Sequence, residues 1–444
     1  MSVCGPATRS DFKLLREYDM DLRTEKLAID GGAPVRQNPL PLPYLGTSVL
    51  GDEELALLTE VVRTKLPFRD YGDGTPHMVN DFESLAREYF NMPYALATAT
   101  GSGSFYCAMA GLGVGTGDEV IIPSLSWYTD FMMPVLLGAT PVFADIDRSL
   151  NMSPDDFERK ITDRTKAVVV VHYQGAVNNM ERLLKIAEKH KIKVVEDNAQ
   201  ACGALYKSKK AGSLGDVSCF SFQQNKIMST GDGGLFLAKD PTVFERAVRF
   251  HDLGLVRKGL ERQLDGKLQF SQFCGCQFRM NEFTGAVALA QLRKLDSHIV
   301  GPVRKMYRSI KNKLSAECPG IKYRQTGDDS GDVGIALYID LGNPQLADWF
   351  GKALQAEGIR VGPSSSCANL LLTDVVKYKN QVSPGLPPFG AGCPGENVEY
   401  KPELCPDTDE IFGSMRCVAI VPKMTEQDAE DVANAIIKVW NKVP

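Results

Sequence analysis

The chain has 444 residues, of which 43% are hydrophobic and 24% are charged, which is typical of a globular protein with a large buried core. Lys and Arg number 50 against 55 Asp and Glu, and the formal net charge of −5 gives no reason to expect a nucleic-acid partner or an anionic membrane surface. No stretch approaches the roughly 20 continuous apolar residues that a membrane-spanning helix needs.

The 11 cysteines are scattered and odd in number, and the closest two are Cys274 and Cys276. This pattern predicts reduced thiols in a cytoplasmic protein rather than a disulfide framework or a zinc site. The first residues lack the apolar core of a signal peptide, which agrees with a cytoplasmic location. The histidines have no metal-ligand spacing, so we expect no metal and take His172 to be a packed residue at a strand end.

The chain divides into three parts by sequence texture. Residues 1–45 are predicted to be an N-terminal extension, with a charged helix-like segment followed by a stretch that proline and glycine break up. Residues 46–300 alternate apolar Val/Ile runs with amphipathic helices, which predicts an α/β domain whose mostly parallel sheet is covered on both faces. Residues 301–444 have a different order of predicted elements, helix–strand–strand–helix–strand, which predicts a smaller C-terminal α+β domain.

Two loops are expected to shape any pocket. One lies at about residues 65–78 and contains several glycines and charged residues. The other, residues 380–407, holds six prolines, and long irregular loops of this kind are more often functional than incidental.

A glycine-rich turn, "ATATGSGSF", joins a predicted strand to a predicted helix. Such a turn presents free backbone N–H groups and the positive end of a helix, so an anion can bind there. Gly101 allows close approach and Ser102 can add a hydroxyl group. A dinucleotide fingerprint would require glycine at position 106, where this chain has Tyr106. The turn therefore favours a phosphate site, although alone it is equally compatible with a structural role.

Two further positions carry chemical groups. Asp197, in "KVVEDNAQ", follows a buried strand, and the carboxyl ends of parallel strands face the crevice where α/β proteins bind ligands. Its alternative role is a helix cap or a solvated turn.

Lys226, in "SFQQNK", comes between the apolar "CFSF" strand and the "GDGG" turn. A single loop lysine is usually a solvated charge. A phosphate site, an acid for a ring nitrogen and an amine for a Schiff base together indicate a pyridoxal-phosphate site.

The ordered motifs "GDEVIIPSLSW", "EDNAQACG", "SFQQNK" and "GDGG" resemble those of the DegT/DnrJ/EryC1/StrS sugar aminotransferases. The resemblance runs from about residue 28 to the C-terminus. It implies a fold type I pyridoxal-phosphate architecture, with a large domain built on a mostly parallel seven-stranded sheet.

The resemblance also implies roles for individual residues. Lys226 would form the Schiff base with the cofactor and move protons, and Asp197 would pair with the ring nitrogen. Trp127 would stack on the ring, or else simply pack in the core, and Gln200 would contact the phenolic oxygen. Three residues would hold the phosphate, namely Gly101, Ser102 and Ser221.

The chain departs from the family pattern in two motifs. The family usually has Asn in a "GxNxRM" element that reaches the phosphate of the partner subunit, and this chain has Gln277 in "GCQFRM". The amide is kept on a side chain one methylene longer. The family's "GEGG" is "GDGG" here. Because the contact at Gln277 is made across subunits in the family, the resemblance implies a homodimer.

The predicted function is transfer of an amino group from glutamate or glutamine to a keto or aldehyde sugar in amino-sugar biosynthesis. Arg416 is a candidate for binding the donor carboxylate through a bidentate pair, or a surface arginine. A sugar dehydratase on the same scaffold is the first alternative, and it is disfavoured because such relatives replace the lysine by histidine. The second is a regulator that binds pyridoxal phosphate without catalysis.

Overall fold

The computed structural model describes residues 22, 24–69, 77–362 and 368–443. The helix-like segment predicted near the N-terminus lies outside these residues, and so do residues 70–76 of the predicted 65–78 loop. The α-helices are α1 Asp52–Thr64, α2 Met78–Phe90, α3 Gly101–Gly111, α4 Tyr128–Leu136, α5 Pro154–Arg159, α6 Met180–His190, α7 Pro241–His251, α8 Lys258–Gln263, α9 Glu282–Lys294, α10 Gly301–Glu317, α11 Pro344–Ala356, α12 Asp374–Lys377, α13 Asp407–Gly413 and α14 Glu426–Trp440. No helix in the described ranges is long and apolar enough to cross a membrane.

The strands form one large sheet and one smaller sheet, with two short pairs beside them. They are β1 Tyr94–Thr98, β2 Glu119–Pro123, β3 Leu125–Ser126, β4 Thr140–Ala144, β5 Thr165–Val171, β6 Lys193–Asp197, β7 Leu205–Tyr206, β8 Lys209–Lys210, β9 Val217–Ser221, β10 Gly234–Ala238, β11 Lys322–Tyr323, β12 Ala336–Asp340, β13 Val361–Gly362, β14 Ala368–Asn369 and β15 Met415–Ala419.

The large sheet has seven strands in the order β1-β10-β9-β6-β5-β2-β4. Only β10 runs antiparallel to its neighbours, and the other pairings are parallel. The predicted mostly parallel seven-stranded sheet is therefore confirmed. Parallel strands need crossover connections, and the helices that supply them pack on both faces.

Side-chain alternation along the central strands builds two cores. Val168 and Val170 of β5 point into the core on one face, while Val169 and Val171 point into the core on the other. All four are buried. Because successive strand residues face opposite sides, a continuous valine run can only be satisfied when helices cover both faces.

The C-terminal part contains the four-stranded antiparallel sheet β11-β12-β15-β13. Helices α10, α11 and α14 pack around it through buried apolar side chains. The predicted boundary near residue 300 falls within a continuous helical stretch. Helix α9 passes through a π-helical turn at Leu295–Val300 directly into α10, and Pro302 is tolerated because it lies in the first turn of α10.

The described part of the N-terminal segment, residues 24–45, packs against the C-terminal sheet and its helices. The backbone N–H groups of Ala28 and Val35 donate to Glu357 at 2.7 and 3.0 Å. Lys438 also binds the Glu357 carboxylate, at 2.9 Å, and both side chains are fully buried. A buried acid held by two amides and a lysine fastens this segment to the fold rather than leaving it as an appendage.

The 380–407 segment lies against helix α4. The rings of Phe389 and Tyr400 pack on Phe131 of α4 with centroids 6.4 and 5.6 Å apart. The hydroxyl of Tyr400 donates to the carbonyl oxygen of Pro141 at 2.7 Å. This loop thus supports helix α4, which begins at Tyr128 directly after Trp127.

A buried pair next to the sheet edge gives a stability prediction. Glu196 contacts His172 Nε2 at 2.9 Å and accepts three backbone N–H bonds from the 212–215 turn. Burial alone would raise its pKa, but the pair with His172 and these backbone bonds lower the pKa of Glu196 below its usual value. A carboxylate with a lowered folded-state pKa stabilises the protein above its unfolded pKa, and that stability is lost as the pH falls.

We therefore expect Glu196→Gln to lower the free energy of unfolding by about 3 kcal/mol at pH 7 and by clearly less at pH 4. Urea denaturation at both pH values measures this difference. Glu158→Gln is the control, because Glu158 makes only exposed ion pairs. An equal loss at both pH values would contradict the ionised pair.

Candidate active site

The predicted site residues come together at one edge of the large sheet. Asp197 ends β6 and Ser221 ends β9, and these two strands are parallel neighbours. On the other side of β9, Thr98, Gly234 and Ser221 lie in register across β1, β10 and β9. This is the carboxyl edge of the parallel strands, where α/β proteins bind their ligands.

An anion cradle lies where β1 enters helix α3. Thr100 caps the helix by accepting the Gly103 N–H at 2.9 Å, and the start of such a helix is a site where an anion can bind. A Cβ atom added to Gly101 would come within 2.5 Å of Ser221 Cβ, and one added to Gly234 within 2.4 Å of the Thr100 carbonyl oxygen. Only glycines allow the helix start to close on Ser221 in this way.

The hydroxyl groups of the cradle come from Ser102 and Ser221. Ser102 is exposed, and its Oγ lies 3.1 Å from Thr129 Oγ1. Ser221 is half-buried and accepts a long bond from the Gln223 N–H at 3.4 Å. Both hydroxyls therefore remain accessible to an anion held by the first turn of α3.

The carboxylate of Asp197 is half-buried beside this cradle. Its Oδ1 accepts the Ala199 N–H at 2.8 Å. Burial raises the pKa of Asp197, while the Ala199 N–H and the charges of Lys226 and His172 partly oppose that rise. The carboxylate is thus oriented by the backbone and lies within the electrostatic influence of Lys226.

Lys226 is half-buried in the turn after β9. Its backbone N–H donates to the Gln223 carbonyl at 2.9 Å, and its backbone carbonyl accepts the Gly46 N–H at 3.2 Å. A Cβ atom on Gly46 would lie 2.5 Å from the Ser229 backbone nitrogen, so the N-terminal segment supports this turn closely. Burial raises the pKa values of Asp197 and Asp130, and the charge of Lys226 partly opposes both rises, so the amine acts on both carboxyls.

Trp127 and Gln200 border the same edge. Trp127 directly precedes α4 and is 43% exposed, with its ring edge-on to Tyr128 at 5.2 Å. Core packing does not explain an indole this exposed, which leaves its face free to stack on a ligand. Gln200 is half-buried, and its Oε1 accepts the N–H of Gln174, which has a left-handed backbone with φ of 48°.

Gln277 and Arg416 make contacts that differ from those of the other predicted site residues. Phe278, next to Gln277, accepts the Ala99 N–H through its carbonyl at 2.6 Å. Gln277 is exposed and forms a backbone bridge with Asp252. Arg416 is on β15, and its Nη1 donates to the carbonyl oxygens of Gly413 and Met415 at 2.9 and 2.8 Å. These contacts hold the guanidinium within the C-terminal part of the fold.

Asp130 is a buried acid near these groups that the sequence interpretation did not single out. It is fully buried in the first turn of α4, and one carboxyl oxygen accepts the hydroxyl of Ser126. The charges of Asp197 and Lys226 both reach it. A lone acid in the apolar helix "YTDFMMPVLL" was the available signal, but an acid in a first turn is also an ordinary helix-stabilising choice.

An anion cradle, a carboxylate and a lysine meet at the carboxyl edge of a mostly parallel seven-stranded sheet, with an α+β unit beside it. This combination defines the fold type I class of pyridoxal-phosphate-dependent enzymes. The chain belongs to the DegT/DnrJ/EryC1/StrS aminotransferase family, whose model matches residues 51–364.

Individual relatives agree with this assignment. The chain is 34% identical to L-glutamine:2-deoxy-scyllo-inosose aminotransferase of Streptomyces kanamyceticus over 371 residues, which cover 79% of this chain and 83% of that protein. It is 36% identical to GDP-perosamine synthase of Escherichia coli O157:H7 over 222 residues, covering 50% of this chain and 59% of that protein. The compounds named thus differ among relatives of similar identity.

Solved structures share the fold over nearly the whole chain. The structure of 3-amino-5-hydroxybenzoic acid synthase superposes with a TM-score of 0.72 at 25% identity, covering 88% of this chain and 96% of that one. The PLP form of the putative sugar aminotransferase Spr1654 from Streptococcus pneumoniae has a TM-score of 0.73 at 18% identity, covering 92% and 100%. The predicted fold class is confirmed.

Proposed function

We propose that the protein uses pyridoxal 5′-phosphate to move an amino group from glutamine or glutamate to a keto or aldehyde carbon of a sugar. The observation that carries this proposal is the meeting of Lys226, Asp197 and the Gly101–Ser221 cradle at one sheet edge. When bound, the cofactor supplies an electron sink that makes the carbon bearing the amino group acidic.

The residues at the edge fit this cofactor. The first turn of α3 with Ser102 and Ser221 suits a phosphate group. The exposed face of Trp127 suits stacking on a ring, and the half-buried Asp197 suits a protonated ring nitrogen. Gln200 is close enough to the same edge to donate its amide N–H groups to a ring oxygen.

Lys226 has the central chemical role in this proposal. Its amine would hold the cofactor covalently and would move the proton at the substrate carbon. The backbone of this lysine is held at both ends, because its N–H donates to the Gln223 carbonyl and its carbonyl accepts the Gly46 N–H. Asp197 would supply the negative charge for the ring nitrogen.

The donor and acceptor are proposed by class. The relative from Streptomyces kanamyceticus names L-glutamine as donor and an inosose as acceptor, and the one from Escherichia coli names a GDP-linked sugar product. These names support a small amino-acid donor and a polyhydroxylated carbonyl acceptor. We propose a cytoplasmic enzyme, in keeping with its composition.

We also propose that the enzyme is a homodimer. Gln277 is exposed, and large apolar side chains around its segment are exposed too: Phe68, Leu253, Leu255 and Phe283 are 39–52% exposed. Exposed apolar clusters of this kind mark protein interfaces. A second copy on this face would let Gln277 reach the neighbouring phosphate cradle.

The proposed function is tested with the purified protein, pyridoxal phosphate and amino donors. We expect a visible absorption band from covalently bound cofactor, and its loss on adding L-glutamine or L-glutamate. A panel of keto sugars and inososes should then restore the band. A band that no amino donor removes would contradict transamination and favour a non-catalytic binder.

The cradle gives a separate prediction at Gly101. Gly101→Ala places a methyl group against Ser221 Cβ, so the first turn of α3 must move away and the phosphate contacts weaken. We expect the dissociation constant for pyridoxal phosphate to rise at least about tenfold, because the loss of one charge-assisted hydrogen bond weakens binding by about this factor. Fluorescence titration measures it.

Gly115→Ala is the matched control for Gly101→Ala, because the nearest atom to its added Cβ is 3.9 Å away. Equal cofactor affinities for the two variants would show that the cradle does not bind the phosphate.

A further inference from the structure

Asp130 has an environment unlike that of an ordinary helix acid. It is fully buried in the first turn of α4, three residues after Trp127. One carboxyl oxygen accepts the hydroxyl of Ser126, itself buried on β3. Within the described residues, the other oxygen, Oδ1, is buried and has no hydrogen-bond partner. A buried ionised carboxylate with an unsatisfied oxygen is costly, which favours a protonated group.

The charged groups around Asp130 come from separate elements. Asp197 approaches from the end of β6 and Lys226 from the turn after β9. Burial, and then the charge of Asp197, raise the pKa of the Cys219 thiol on β9, and the charge of Asp130 adds to that rise. The charge of His172, after β5, also acts on Asp197. Burial, and then the charge of Asp197, raise the pKa of Asp130 well above its usual range, with Ser126 and Lys226 opposing.

Two neighbouring carboxyls in a buried setting hold one proton between them rather than ionising together. Asp197 is better suited to carry the charge. It is only half-buried, accepts the Ala199 N–H, and faces Lys226. Asp130 has the full burial and the unpaired oxygen, so the proton belongs there.

We propose that Asp130 is a positioning residue that stays protonated at neutral pH and donates its Oδ1–H bond to the Asp197 carboxylate. The bond satisfies the unpaired oxygen, keeps Asp197 ionised and fixes its orientation. The statement that Asp197 faces the ring nitrogen rests on the proposed function. The statement that Asp130 carries a proton does not.

Infrared difference spectroscopy of the purified wild type against the Asp130→Asn variant tests the proton directly, and the comparison is made both with and without pyridoxal phosphate. A protonated carboxyl has a C=O stretching band that a carboxylate lacks. We expect this band in the wild type at pH 8 and its loss in Asp130→Asn. Asp147→Asn is the matched control, because Asp147 is also bound by a serine hydroxyl and burial raises its pKa too. Absence of the band in the wild type, or its survival in Asp130→Asn, overturns the proposal.

Turnover tests the positioning role. The amide of Asn can still donate a hydrogen bond to Asp197. We therefore expect kcat of Asp130→Asn to stay within about threefold of the wild-type value, which is a smaller loss than removal of a hydrogen bond would cause. Asp130→Leu cannot donate, and its kcat should fall about 10- to 100-fold, as for a lost bond to a charged group. Thermal unfolding verifies that each variant folds. Equal kcat values for the two variants overturn the positioning role. Absence of transamination in the wild type would refute the proposed function. It would leave the infrared test of the proton on Asp130 unaffected.

Discussion

Replacing Lys226 by alanine is expected to reduce transamination by about 10⁴-fold, because the variant loses both its covalent link to the cofactor and its proton carrier. The half-reaction with L-glutamine, followed by the loss of the visible cofactor band, measures this rate. The fold should be unaffected, since the side chain of Lys226 is half-buried and its backbone bonds to Gln223 and Gly46 remain.

Two further variants separate the roles of Lys226. Lys226→Arg keeps a positive charge near Asp197 but cannot release a proton, so it should be nearly as inactive as the alanine variant. Lys209→Ala removes an exposed lysine and should leave the rate unchanged. Trapping the wild type with borohydride should place the cofactor mass on the peptide that contains Lys226. Substantial turnover by Lys226→Ala would refute the assignment.

Replacing Asp197 by asparagine is expected to lower kcat by about 10²- to 10³-fold, the usual cost of removing one electrostatic partner of the reacting group. Stability should move the other way. Burial raises the pKa of Asp197, so the folded state favours its protonated form and the ionised form costs stability as the pH rises. Asparagine is neutral and still accepts the Ala199 N–H, so its Tm should equal or exceed that of the wild type at pH 8.

The opposite signs of the two effects distinguish a functional residue from a structural one. Steady-state kinetics at pH 8 and thermal unfolding at pH 4 and pH 8 measure them, and the Tm gain should be larger at pH 8, because the penalty on the ionised form grows as the pH rises above the unfolded-state pKa. Asp155→Asn is the control, because Asp155 makes an exposed ion pair with Arg182. A large loss of Tm together with the loss of activity would indicate a structural role for Asp197.

The strand pattern predicted the large sheet because burial leaves a local mark. Continuous valine runs such as that of β5 are stable only between two layers of helices, so the sequence alone indicated a parallel sheet covered on both faces. The order of strands, and the antiparallel insertion of β10, left no such mark. They depend on pairings between residues far apart in the chain, such as Thr98 with Gly234.

The sequence by itself determined the fold class, the family and the candidate chemical groups, because these depend on local hydrophobic pattern and on ordered motifs such as "SFQQNK" and "EDNAQACG". Tertiary structure alone decided which groups share an environment. It buried Asp130 beside Asp197 and Lys226, and it kept Arg416 among carbonyl groups of the C-terminal sheet. The reason is physical: proximity and desolvation act through space, and a single helix turn of apolar sequence reveals neither.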